Sequence, residues 1–188
     1  AVAVDVDPGR RPVTGLTVLD PQSAGVYVRA GSALLTDVTV YSSNDHGIWV
    51  DGAGQATVDG CTSYGNADYG IYLSNNTTAT SNFEHCTLQD NYYGLYANTS
   101  TGTQTYTLKN SIVTDNRYYG VYNYDAETVS VPHSILWQNA NGSTGHSAST
   151  ITVANPLYAD PTGADFELTS NSPARFGSDD FSDMGARP

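Results

Sequence analysis

A four-residue motif returns five times along this chain: GVYV from Gly25, GIWV from Gly47, GIYL from Gly70, GLYA from Gly94 and GVYN from Gly120, at intervals of 22, 23, 24 and 26 residues. A second motif keeps step with it: LLTDVTVYS from Leu34, TVDGCTSYGN from Thr57, NFEHCTLQDN from Asn82, TLKNSIVTDN from Thr107 and SVPHSILWQN from Ser130. Both alternate apolar and polar residues and are rich in Val, Ile, Tyr and Thr. Gly, Asn, Asp and Ser separate them, which is the chemistry of short strands and tight turns. A period this short, carrying strands and turns but no amphipathic helix, restricts the chain to an all-β solenoid. Leucine-rich repeats need a Leu and Asn pattern that is missing, and propeller blades need longer units.

Stacking one period on the next places equivalent residues about 4.8 Å apart. Leu35, Val58, Phe83, Leu108 and Val131 then form one inward column, and Val40, Ser63, Leu88, Val113 and Leu136 another. Val38, Cys61, Cys86, Ser111 and Ser134 form an inward column of small residues. Two readings of its cysteines stand, small stacked core residues or a strained disulfide between neighbouring turns of the coil. Asn66, Asn91, Asn116 and Asn139 recur at intervals of 25, 25 and 23, with Ser43 in the same place one period earlier. Stacked amides at a repeated turn hydrogen-bond along the stack and satisfy turn backbone groups that would otherwise be buried and unpaired.

An Asn turn shortly before a G-I-x-I strand, as in Asn91 to Tyr96, resembles the pectate-lyase-like right-handed parallel β-helix proteins over roughly residues 13–153. The resemblance implies a single-stranded right-handed parallel β-helix of about six rungs. It says little about activity, because that fold carries lyases, hydrolases, epimerases, phage tailspikes and proteins with no known catalysis. The ending is similar to the tail of a bacterial surface-associated β-helix family, in its D-P at Asp160, D-F-x-L at Asp165 to Leu168, S-P-A at Ser172 to Ala174 and D-x-G-A at Asp183 to Ala186. The expected organisation is one domain over 1–188, with repeat rungs over 13–153 and an irregular cap over 154–188. Because an uncovered terminal rung exposes a pairing edge, the cap is expected to cover the open end of the coil. Residues 1–12 are expected to do the same at the other end, and the chain's start is equally consistent with a cut through a longer protein with further domains.

The charge balance narrows the partners. Seven basic residues stand against 19 acidic ones, a net charge of −12, and Lys109 is the only lysine. No basic stripe exists to neutralise phosphates, so nucleic acid is excluded as an expected partner. Anionic membranes and polyuronates would be repelled unless a bound cation intervened, whereas neutral glycans carry no such penalty. No apolar run is long enough for insertion in a membrane. Few lysines, many Ser, Thr, Asn and Gly, and 14 tyrosines suit a secreted or cell-surface protein.

If the aliphatic residues of the G-I-Y-V motif face inward, the aromatic between them faces outward, giving a stack of Tyr27, Trp49, Tyr72, Tyr96 and Tyr122 as the candidate substrate-binding face. Rings stack on the apolar faces of sugars while phenols bond to hydroxyls; the competing reading is an aromatic ladder that merely stabilises the coil. Asp90 and Asp115 share a column just before the ladder asparagines. They are candidates for a carboxylate pair, which glycoside hydrolysis needs about 5–9.5 Å apart, or for ligands of a hard cation such as calcium; ordinary turn chemistry is the alternative. Asp59, Glu84 and Lys109 form an outward column, with Glu84 and Lys109 as further catalytic candidates and a surface ion pair as the alternative. Arg29 and Asp51 read as a pair one rung apart, and Arg117 lies beyond the strand that follows Lys109. His46, His85, His133 and His146 are dispersed without metal-site spacing. Thr39, Thr62 and Thr87 form a short outward stack interrupted by Ile112 and Ile135, and Asn75, Asn76, Asn98 and Asn141 begin glycosylation sequons. The expected function is polysaccharide binding, with lyase-like processing added if a base and a cation converge; the alternative is a structural stalk or adhesin.

Overall fold

In the computed structural model of the protein, residues 3–6, 12–74, 80–98, 104–125, 128–147 and 150–186 are described. They form a parallel β-solenoid whose successive turns stack three faces. The first face is built from Val4–Val6, the first halves of Val26–Thr36 and Ile48–Asp59, then Tyr69–Ser74, Tyr93–Asn98 and Tyr119–Asn123. The second takes Val13–Thr14, the second halves of the two long strands, Thr80–Glu84, Thr105–Lys109 and Thr128–Ser130. The third takes Thr17–Leu19, Thr39–Tyr41, Thr62–Tyr64, Thr87–Gln89, Ile112–Thr114, Ser134–Trp137 and Ile151–Thr152. The coil therefore begins earlier than the repeat pattern suggests, because Val4–Val6 pairs in register with Val26–Val28.

The columns follow from in-register pairing. Leu35 faces Val58, Phe83 and Leu108 in succession, and Val40 faces Ser63, Leu88, Val113 and Leu136. Strand alternation turns these inward, and Leu35, Phe83 and Leu108 are fully buried. The asparagine ladder is continuous: the backbone N–H groups of Ser43, Asn66, Asn91 and Asn116 each donate to the Oδ1 of the next rung's asparagine at 2.9–3.2 Å. Each Nδ2 of Asn66, Asn91 and Asn116 also donates to the next Oδ1 at 2.8–3.2 Å.

The small-residue column is a second ladder rather than plain filler. The N–H of Val38 donates to Cys61 Sγ at 3.4 Å, that of Cys86 to Ser111 Oγ at 3.1 Å, and that of Ser111 to Ser134 Oγ at 3.1 Å. In return Cys86 Sγ donates to the Glu84 carbonyl, and Ser111 Oγ to the Lys109 carbonyl. Thiol and hydroxyl thus serve the same buried turn, which explains why Cys and Ser share that column. Both cysteines are free, so the disulfide reading is not realised. Burial pushes the Cys61 thiol up to about 12 and the Cys86 thiol well above its ordinary range. Both thiols should therefore resist an aromatic disulfide reagent in the native protein and react only once denaturant is added; native labelling would contradict their placement.

Two corners of each rung bend through a left-handed residue. One runs through Asp37, Gly60, His85, Asn110 and His133, with φ of 48–69°; the other through Asp20, Ser42, Gly65, Asp90, Asp115 and Gln138, with φ of 48–63°. Gly, Asn, Asp and His tolerate this region best, so the corners select those types without any chemistry being asked of them.

The tail lies elsewhere than the sequence pattern suggests. Instead of closing the end of the coil, it folds back along the outside of the third face. Tyr158, Ala174 and Met184 pack on Ile112 and Ile135, which interrupt an outward column of threonines. Covering two outward isoleucines removes their apolar surface from water. The Gly185 N–H donates to the Asn110 carbonyl at 2.8 Å and the Ala186 N–H to Thr87 Oγ1 at 3.0 Å. Thr62 and Thr87 are buried beneath this cover, so they form no open threonine face. The end of the coil is met by Thr144, Ser147 and Ile151–Thr152, which pair with Tyr122, Ser130 and Ser134–Ile135.

Candidate functional site

The first face carries the aromatic residues, and its register brings them into a row. Tyr27, Trp49, Tyr72, Tyr96 and Tyr122 pair in succession, with neighbouring ring centroids 4.4, 5.9, 5.7 and 5.5 Å apart. All five are half-buried, with backs against the strand and outer surfaces in solvent. A second row runs beside the first, Tyr69, Tyr93 and Tyr119, paired strand to strand. Tyr92 and Tyr118 extend it outward as a stacked pair at 5.3 Å.

His46 completes the second row, a role that sequence reasoning missed. It stands one residue before the Gly of GIWV, the column place that Tyr69, Tyr93 and Tyr119 occupy in later rungs, so the signal was present in the alignment of motifs. Its ring stacks on Tyr69 at 4.7 Å and meets Tyr72 and Trp49 edge-on at 4.7 and 5.5 Å. Burial lowers its pKa to about 4 despite the neighbouring Asp45 carboxylate, so the ring is neutral at physiological pH.

Polar bonds fix one end of the face. The Tyr27 hydroxyl donates to Asp51 Oδ2 at 2.8 Å, Trp49 Nε1 to Ser74 Oγ at 2.7 Å, and Ser74 Oγ to Asp51 Oδ1 at 2.7 Å. Arg29 bonds to Asp5 on the preceding rung, where the sequence suggested Asp51. Burial and neighbouring phenols or carboxylates raise the pKa of Tyr69, Tyr72, Tyr93 and Tyr96, so their hydroxyls remain protonated. These four phenols are thus uncharged, and each is half-buried like the Trp49 indole.

The remaining candidates are dispersed. Asp90 and Asp115 are exposed corner residues one rung apart. Desolvation first, then Asp90, raises the Asp115 pKa. Arg117 Nε lies 3.8 Å from Asp90, closer than the sequence order suggested. Glu84 and Lys109 do adjoin, at 3.1 Å, but Lys109 also binds Asp179 of the tail at 2.8 Å. Asp179 in turn accepts from Asn110 Nδ2 at 2.9 Å, and His85 bridges Asp59 and Ser182 at 2.9 and 3.1 Å. This column fastens the tail to the coil. A groove of about 500 Å³ lies between tail and third face, lined in part by Tyr64, Phe166, Asp37, Asp165 and Glu167, away from the aromatic face. Among the described residues the one group of metal-ligating type is Asp45, His46 and Asp68, which contains neither Asp90 nor Asp115.

A family model described as a right-handed beta helix region matches residues 3–156. The chain belongs to this right-handed β-helix family. The matched span takes in every rung of the β-helix and leaves most of the tail outside it, in keeping with the tail's separate path. A search of curated proteins returned no match to the chain. Within the β-helix the Gly of each aromatic motif is a packing requirement: a Cβ on Gly94 would lie 2.5 Å from the Gly120 carbonyl oxygen and 3.0 Å from the Asn116 amide. Strand, asparagine turn and aromatic face are therefore built as one unit. Among the described residues no helix is long and apolar enough to cross a membrane.

Proposed function

We propose that this β-helix binds polysaccharide along its first face, outside the cell or on its surface. The observation that carries this reading is the unbroken row Tyr27, Trp49, Tyr72, Tyr96 and Tyr122, set at the rung spacing. A sugar unit in an extended glycan is comparable in length to the strand spacing of about 4.8 Å, so a chain lying along the coil axis meets about one ring per sugar. Stacking on pyranose faces and hydrogen bonding by protonated phenols then act together. The net charge of −12 favours neutral over polyanionic glycans. Binding rather than cleavage is proposed because Lys109 and Glu84 are engaged with each other and the tail, and Asp90 and Asp115 stand at an exposed corner.

The variant Trp49→Ala with Tyr72→Ala should be retained at least about tenfold less well on immobilised neutral polysaccharide than the parent, since buried aromatics dominate such interfaces. Circular dichroism should be unchanged. The same incubations, read for unsaturated sugar products, should show none; a new absorbance would establish a lyase instead. The second reading is a rigid stalk, favoured by the short, regular intervals of 22–26 residues with no long inserted loop between motifs. Equal retention of parent and variant, or none by either, would turn the argument to the stalk.

A further inference from the structure

At the edge of the aromatic face a buried imidazole nitrogen that makes no hydrogen bond among the described residues meets two carboxylates. His46 is 7 % exposed, and among the described residues its Nδ1 makes no hydrogen bond. Asp45 Oδ1 lies 3.1 Å from it but belongs to the adjacent residue and is out of line for a hydrogen bond, and Asp68 Oδ2 lies 4.0 Å away. A buried polar atom left unmatched costs stability unless something else occupies its lone pair or proton.

The surrounding structure holds this group in place. The Asp68 N–H donates to the Asp45 carbonyl at 3.0 Å, linking the two turns one rung apart. Asp45 is steadied by Ser43 Oγ, which accepts from its N–H at 3.2 Å, and by Ser23 Oγ, which donates to Oδ2 at 3.3 Å. Tyr69, Tyr72 and Trp49 fix the imidazole ring. The cationic side chain whose field reaches Asp68 is Arg117, and its guanidinium bonds to the Asn66 and Ala67 carbonyls. Two carboxylates therefore face one imidazole nitrogen, and burial, then Asp45, raises the Asp68 pKa.

We infer that Asp45, His46 and Asp68 form a binding site for one first-row divalent cation of the zinc type. The ligand atoms lie within 4.8 Å of one another. Zinc bonds of about 2.0–2.1 Å to nitrogen and oxygen set tetrahedral ligands about 3.3 Å apart, so a rotation of the half-exposed Asp68 carboxylate closes the site. The imidazole donor selects this class over calcium, which takes six to eight oxygens. The side chains of Asp45 and Asp68 are 33 % and 49 % exposed, which leaves an outward coordination position for water or an oxygen ligand. The site is independent of the glycan-binding reading and stands whether or not polysaccharide is retained.

The test is calorimetric titration of the metal-stripped full chain with Zn²⁺ in a non-chelating buffer. Expected are one ion per chain and at least tenfold weaker binding by both His46→Gln and Asp68→Asn. Because His46 is packed among rings, its variant is read together with Asp68→Asn, whose half-exposed carboxylate can be changed without disturbing the core. Co²⁺ in place of Zn²⁺ should quench the fluorescence of Trp49, whose ring centroid lies 5.5 Å from that of His46. No binding, equal affinity in Asp68→Asn and parent, cobalt binding without quenching, or tighter binding of Ca²⁺ than of Zn²⁺ would each overturn the assignment.

Discussion

Asn91→Ala should lower the stability of the coil by about 3 kcal/mol, reducing Tm by roughly 6–12 °C for a chain of this size. The side chain accepts from the Asn66 N–H and from Asn66 Nδ2 at 3.2 and 2.8 Å, and it donates to the Ser63 carbonyl and Asn116 Oδ1 at 3.0 and 3.2 Å. Alanine leaves all four partners in place and buried, so the loss is the desolvation of several stranded groups rather than the modest net value of one hydrogen bond. Asn82 is exposed on the second face and serves as the control; its replacement by alanine should change stability by no more than about 0.5 kcal/mol. Indistinguishable melting of the two variants would refute the structural role of the ladder.

Phe83→Ala should cost about 3–5 kcal/mol. Phe83 is fully buried mid-coil, stacked between Val58 and Leu108, and truncation opens a cavity with the neighbouring rungs pinned by backbone pairing on either side. A solenoid holds each rung through its neighbours alone, so a defect in the middle weakens the coupling between the two halves. Denaturant unfolding should show a lower midpoint and a broadened or stepped transition, whereas a variant that melts like the parent would mean that the rung relaxes to fill the space. The two variants separate the polar and apolar contributions to one coil: the first leaves the apolar core intact, and the second leaves the ladder intact.

Much of this was legible because in-register stacking turns a period in the sequence into a contact in space. Once Gly47, Gly70 and Gly94 are recognised as equivalent, Trp49, Tyr72 and Tyr96 must lie one strand apart, and strand alternation alone puts them outward. The same reasoning yields the inward column of Phe83 and the asparagine ladder. What it left open were residues whose roles depend on backbone angles or on the aperiodic tail. Asp90 and Asp115 recur because each corner needs a left-handed residue, a requirement that residue type suggests but does not distinguish from an acidic site. Lys109 could be paired with Glu84 from the repeat, yet its bond to Asp179 spans a segment with no period to align.

By itself, then, the sequence determined the solenoid, the register of its rungs and the direction of each repeated side chain, since all three follow from a periodic pattern acting through local strand geometry. Only the tertiary structure decided where the tail lies, which ion pairs form around it, and that His46 meets Asp45 and Asp68. Ile112 and Ile135 show the reason: two outward apolar residues in a threonine column announce that something must cover them, but shape complementarity with Tyr158, Ala174 and Met184 selects what does.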